Sequence, residues 1–369
     1  MNKSSTEAQE NIKSVIQRIA TGPELSKNIS RDEAKRSMSD ILNGEIDPVQ
    51  SAIFLIALRM KRETMDENLG VHDAIIESTT TVDTSCESLI NIADPYDGFS
   101  RNLPSSIFIL PVIAELGLPI VSHGVFSVGP KYGCTHHLIL KELGYNSNND
   151  HREIVERLEN KDIGWAYADQ SMFNPKLHNL MSLRKQIIKR PVITTVEVLV
   201  KPVSSKNDMF FTGFVHKPYP PIYLELSRNA QFNSATVIRG TEGGIIPSLR
   251  QTGKVHFYHS AGEQDDSYDV TPDDLGIIQS SRAVDIPEEI TRKNTKDKIE
   301  SKVDAVDIAK ETIKSGISAL SGNDGPMLSC IQLGAAIILQ RATGNDLGNC
   351  SKEVLQVLKS GAALKRMKR

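Results

Sequence analysis

Residues 88–93, Ser88-Leu89-Ile90-Asn91-Ile92-Ala93, form an apolar run bounded by turn residues. Residues 104–116, Pro104-Ser105-Ser106-Ile107-Phe108-Ile109-Leu110-Pro111-Val112-Ile113-Ala114-Glu115-Leu116, follow, and Gly117 then leads into Pro119-Ile120-Val121-Ser122-His123-Gly124. The first run reads as a strand, the second as a helix, and 119–122 as another strand. Two strands joined by a helical crossover lie parallel in one sheet. Downstream the same grammar repeats. Strands are expected at 163–167, 192–200, 212–215 and 234–238, with helices at 175–189 and 221–229 and a hairpin-like segment at 254–259. Residues 264–292 read as loop and linker, and helices are expected at 298–315, 327–340 and 351–367.

Upstream of residue 85 the pattern is helical. Ser30-Arg31-Asp32-Glu33 fits a capping box that opens a helix running to about Leu42, and Asn43-Gly44 ends it. Asp47-Pro48 starts the next helix, and another begins near Thr64. The expected fold is α/β with an N-terminal helical subdomain (1–85). The second part (86–369) is built on a mostly parallel central sheet flanked by helices.

The 369 residues suit about two domains at roughly 150 residues each, with ample room for a core. The net charge of -3 provides no general attraction for polyanions, and 5% aromatic content argues against a protein made of stacking platforms. Cys86, Cys134, Cys330 and Cys350 form no CxxC and no disulfide framework is expected. The N-terminus carries no apolar leader and no apolar stretch is long enough to cross a bilayer, so the expected location is cytoplasmic with no membrane partner.

Three segments carry a family resemblance. Ile41-Leu42-Asn43-Gly44-Glu45-Ile46 with Phe54-Leu55-Ile56-Ala57-Leu58-Arg59-Met60-Lys61 resembles the N-terminal helical signature of the anthranilate phosphoribosyltransferases. Residues 116–124, with Ser127-Val128 and Lys131-Tyr132-Gly133, resemble that family's Lys-His-Gly segment. Ser321-Gly322-Asn323-Asp324-Gly325-Pro326 and Ser360-Gly361-Ala362-Ala363-Leu364 resemble its C-terminal end. The resemblance implies an active-site cleft between the helical and α/β parts. It also implies a homodimer through the helical subdomain, joined by the helix at 175–190.

Phosphoribosyl transfer needs backbone amides around phosphate, a divalent metal on oxygen ligands, and a pocket for the attacking amine. The resemblance places the family's Gly-Thr-Gly-Gly-Asp-Gly loop on Asp94-Pro95-Tyr96-Asp97-Gly98-Phe99, where Asp97-Gly98 alone survives. Pro95 has no N–H to donate. Ser106 matches a serine that touches metal in the family. The Gly-Leu-Asp-Glu metal segment falls on Gly243-Gly244-Ile245-Ile246, and isoleucine cannot ligate a hard cation. Glu242 is the nearest acid. Magnesium is therefore implied only if transfer is retained, with Ser106 and Glu242 as its candidate ligands. Ser122 replaces the family's lysine, while His123, Gly124 and Lys131 remain, and Arg184 matches an arginine that contacts the anthranilate carboxylate. His136-His137 does not read as a metal pair, because adjacent helical residues do not share a face.

Candidate phosphate- and substrate-binding residues are thus Asp97, Gly98, Ser106, His123, Gly124, Lys131 and Arg184. Three functions fit. One is a divergent pentosyl or phosphoribosyl transferase with atypical phosphate and metal sites. Another is a non-catalytic nucleic-acid-binding homodimer, because the chain most resembles the branch that lacks both motifs. Its basic stretches are Arg59, Lys61, Arg62; Arg184, Lys185, Lys189, Arg190; and Lys365, Arg366, Lys368, Arg369. The third is a sensor of a small anionic metabolite.

Overall fold

The computed structural model describes residues 3–22, 24–147 and 149–369. Four helices open the chain: α1 (Lys3–Ile19), α2 (Arg31–Leu42), α3 (Pro48–Lys61) and α4 (Met65–Ser78). Their starts are chemically dictated. Ser30 and Glu33 close a capping box on α2, Thr64 and Glu67 another on α4, and Asp47 caps α3 with Pro48 in its first turn. Ile12, Val15, Met38, Phe54, Leu58 and Ile75 bury the faces these helices share.

The strands and helices that follow alternate. β1 (Val82–Asp83) pairs with a distant β5 (Val203–Ser204) as a small parallel ribbon. The central sheet contains β2 (Leu89–Ala93), β3 (Ile120–Gly124), β4 (Trp165–Asp169), β6 (Asp208–Phe214), β7 (Ser234–Arg239), β8 (Gly253–Tyr258) and β9 (Asp266–Val270). Their order is β4-β3-β2-β6-β7-β8-β9. The first five strands run parallel, β8 runs antiparallel to β7, and β9 antiparallel to β8. The helices are α5 (Ile109–Glu115), α6 (His136–Glu142), α7 (His151–Glu159), α8 (Gln170–Phe173), α9 (Pro175–His178), α10 (Met181–Ile187) and α11 (Ile193–Val196). After them come α12 (Tyr219–Asn229), α13 (Ala305–Leu320), α14 (Pro326–Thr343), α15 (Leu347–Ser360) and α16 (Ala362–Met367).

The parallel strands are buried on both faces, as crossover topology requires. Ile90, Ile92 and Phe211 pack into a core with the almost wholly buried α14, while Leu89, Val121 and Phe210 face the N-terminal helices. The chain thus has an N-terminal helical bundle beside an α/β unit with a mostly parallel sheet. The four cysteines are unpaired. No helix among the described residues is long and apolar enough to span a membrane.

Five expectations are corrected. Residues 192–200 hold the short helix α11 and turns instead of a strand. Val192, Ile193, Val196 and Leu199 are all buried, and a brief buried helix has the same apolar run as a buried strand. The helix at 175–189 is two helices, α9 and α10, and Ile188 ends the second at φ 67. The segment 264–292 contains the polar edge strand β9. The helix expected from 298 starts at Ala305 on its Asp304 cap. The closing helix breaks at Gly361, whose φ is 70.

Strand order places the site. From β2 the sheet builds toward β3 on one side and toward β6 on the other, so the connections leave in opposite directions at its C-terminal end. Such a switch point opens a crevice beyond the strand ends.

Candidate functional site

A cleft of about 730 Å³ lies at this switch point. It is bounded by the loop after β2, the ends of β6 and β7, Arg59 of α3, and Tyr219 and Tyr223 of α12. Close backbone packing shapes its floor. Gly98 has φ 74, and a Cβ there would fall 2.6 Å from the carbonyl carbon of Gly133. At Gly213 a Cβ would lie 2.0 Å from the Gly244 oxygen, so the loop after β7 rests directly on β6.

The amides best placed to hold an anion are already engaged. The Glu242 carboxylate accepts from the backbone N–H groups of Ser100 (3.1 Å), Arg101 (2.8 Å) and Asn102 (3.0 Å), and from the Ser100 hydroxyl at 3.3 Å. Consecutive N–H groups in a loop form an anion-binding concavity, and here its occupant is the protein's own side chain. Lys131 Nζ stands 3.6 Å from Glu242 and 3.4 Å from Asp97. Asp97 also receives Arg190 at 2.6 and 3.1 Å. Glu242 holds a left-handed conformation, φ 53, costly for a non-glycine residue.

Arg184 is spoken for as well. Its guanidinium donates to Glu197 through two bonds of 2.5 and 2.6 Å, with both side chains about 1% exposed. Behind the cleft, Ser106 donates to Asp94 and lies 2.8 Å from His136 Nε2, while Ser122 lies 2.7 Å from His136 Nδ1. The Ile245 amide donates to Asp94 at 3.0 Å. Burial opposes ionisation of Asp94, but hydrogen bonds from His136, Ser106 and Ile245 outweigh it and hold the carboxyl below its ordinary range. His123 sits 2.5 Å from the Tyr96 hydroxyl, and burial drives its pKa down to about 3, leaving a neutral ring.

Of the residues singled out in the sequence, Asp97, Lys131 and Glu242 line the cleft. Gly98, Ser106, His123, Gly124 and Arg184 are buried and do not line it. His137 bonds Asp169 at 2.5 Å and Ser147 at 2.8 Å as a structural residue.

Magnesium does not fit this arrangement. Ile245 and Ile246 are buried core side chains, Ser106 is committed to Asp94, and four donors occupy Glu242. Among the described residues no group of three or more His, Cys, Asp or Glu side chains could hold a metal ion.

The charges that remain open are mostly cationic, Asp285 being the one lining carboxylate without an ion pair among the described residues. Arg59, Arg101, Lys131, Arg190, Arg239 and Arg282 line the cleft against three carboxylates, Asp97, Glu242 and Asp285. Arg101, Arg239 and Arg282 make no side-chain hydrogen bond or ion pair with any described residue. A near-neutral total charge therefore conceals a segregated basic face. The basic stretches named in the sequence contribute only Arg59 and Arg190 to it. Lys61, Arg184, Arg366 and Arg369 are instead paired with Glu67, Glu197, Glu115 and Asp162. Arg239 and Arg282 escaped the sequence reading, although Arg239 ends a strand beside a glycine-rich turn, where parallel sheets place ligand contacts.

Comparison with known proteins bears on identity. Residues 13–79 match the helical bundle domain of a glycosyl transferase family. An uncharacterized protein of Aquifex aeolicus is 31% identical over 60% of this chain and 65% of its own length, just under two thirds. An anthranilate phosphoribosyltransferase of Methanopyrus kandleri is 29% identical over 72% of this chain and 75% of its own, and one of Desulfotalea psychrophila is 24% identical over 97% and 95%. Among solved structures, the Thermus thermophilus anthranilate phosphoribosyltransferase superposes with a TM-score of 0.72 at 18% identity, covering 97% of each chain. The Saccharomyces cerevisiae enzyme in complex with PRPP and Mg gives 0.74 at 16% identity over 98% of this chain and 96% of its own. The chain is thus similar in sequence to anthranilate phosphoribosyltransferases, shares their fold over nearly its whole length, and carries at residues 13–79 the helical bundle domain of a glycosyl transferase family.

Proposed function

We propose that this chain binds single-stranded nucleic acid in the switch-point cleft and does not carry out magnesium-dependent phosphoribosyl transfer. The observation that carries this reading is the division of partners within the cleft. The amides of 100–102 and the Arg184 fork are filled by internal carboxylates, while Arg101, Arg239 and Arg282 have none. Unpaired arginines track phosphates, and Tyr219 and Tyr223 supply faces on which bases stack.

The proposed partner in assembly is a second copy. Val49, Ile53 and Met60 recur along one side of α3 and are exposed, as are Leu25 and Ile188 nearby in the helical part. Exposed apolar residues at helical spacing are costly unless covered.

Transfer is the second reading, and the names of the relatives favour it. It requires Glu242 to leave its amides and a cation to be held without residues 245 and 246. Calorimetry separates the two. Tight binding of a single-stranded oligonucleotide that weakens steeply with salt is expected. Magnesium-dependent binding of phosphoribosyl pyrophosphate without oligonucleotide binding would reverse the assignment, and small-anion binding alone would indicate a sensor.

A further inference from the structure

A second cavity of about 350 Å³ adjoins the cleft and shares Arg101, Lys131 and Arg190 with it. Its other wall is a strap, residues 292–303. The strap is closed by the bridge between Arg292 and Val303 and by the Lys293 amide donating to the Lys302 carbonyl at 2.6 Å. Asp297 fastens its turn by accepting from the amides of Ile299 and Glu300, and the Ser301 amide donates to the Lys131 carbonyl at 2.8 Å. The pocket is therefore built from hydrogen-bonded backbone.

Arg101, Lys131, Arg190, Arg292, Lys298 and Lys302 line it against one carboxylate, Glu300. Arg101, Arg292, Lys298 and Lys302 pair with no described side chain. Lys131 and Arg190 already face Asp97, but the other four cations around this small volume repel each other until an anion enters. Ile286, Ile299 and Val303 form an apolar wall that lowers the local dielectric and strengthens any charge pairing. The volume lies at the small end of the ligand-pocket range and has no room for a stacked strand. Guanidinium forks and lysine point charges together suit clustered phosphoryl oxygens.

We propose that this pocket docks a compact oligophosphate, the chemistry shared by a nucleoside triphosphate and the 5′-triphosphate end of a strand. It does not depend on strand binding in the larger cleft.

Metal-free calorimetry with sodium tripolyphosphate tests it on the full chain and on a Lys298→Ala/Lys302→Ala variant. Both lysines are exposed, so the fold is expected to survive, and circular dichroism checks this. Binding at one site is expected, weakened tenfold or more in the variant and unchanged in an Arg239→Ala/Arg282→Ala control. Stronger binding of a nucleoside triphosphate than of a 5′-triphosphorylated oligonucleotide identifies the free nucleotide as the source, and the converse identifies the strand end. Equal affinity in wild type and variant, or affinity no greater than for sulfate, overturns the proposal. Tripolyphosphate binding without oligonucleotide binding would sustain it while removing the strand reading of the cleft.

Discussion

Glu197 grips Arg184 through two hydrogen bonds of 2.5 and 2.6 Å, deep enough that neither side chain meets solvent. The arginine that the family resemblance assigns to a substrate carboxylate thus holds a carboxylate of its own chain. Glu242 repeats the arrangement in the amides of residues 100–102. Both anions are covalently tethered, so an incoming one must displace them.

Removing Arg184 strands a buried charge. Arg184→Ala is expected to cost about 3–5 kcal/mol, as breaking a buried pair does. Urea unfolding measures it, and oligonucleotide affinity of the folded fraction should stay within twofold. Lost affinity for an aromatic acid would instead restore the substrate role.

Glu242→Gln keeps one acceptor oxygen but brings an N–H₂ against backbone donors. A loss of about 1–3 kcal/mol is expected for the mismatched group. Removing a negative charge beside Lys131 should at the same time tighten binding of a single-stranded oligonucleotide. Weaker binding would show that the carboxylate itself serves the ligand.

Two buried imidazoles make stability depend on acid. Burial lowers the pKa of His72 from 6.5 to about 4 and that of His123 from 6.5 to about 3. The unfolded chain takes up these protons below 6.5 and the folded chain resists them. Their contribution is therefore complete above 6.5 and falls with pH until each folded pKa is passed. The slope approaches about 1.4 kcal/mol per pH unit for each imidazole. Urea midpoints between about pH 7.5 and 5 should show the decline. In His123→Gln they should show a shallower one on a lower baseline, and an unchanged slope would refute the assignment.

Helix starts were legible because capping is local. Ser30, Asp47 and Thr64 announce their helices within four residues. The parallel sheet was legible from its crossovers. Residues 192–200 misled because periodicity cannot separate a buried strand from a buried helix, and β9 hid because an exposed edge strand is polar. That residues 245 and 246 carry no oxygen ligand could be read directly, and both side chains are buried in the core. The Glu197–Arg184 and Glu242–amide contacts could not, since their partners lie 13 and about 140 residues apart and only the fold brings them together.

The α3 face provides a separate test. Met60 is 74% exposed and Val49 67%. Val49→Asp/Met60→Glu should shift the particle to a monomer in sedimentation at unchanged helicity, and a wild type already monomeric would remove the proposed dimer surface.

The salt dependence of oligonucleotide binding, compared between wild type and Arg101→Ala/Arg239→Ala/Arg282→Ala, bears most directly on the cleft. Each phosphate neutralised contributes a slope of about −0.7 in log affinity against log salt for a single strand. Loss of three contacts should therefore flatten the slope by about 2 and weaken binding at low salt. An identical slope in the two proteins would place the strand elsewhere and contradict the account.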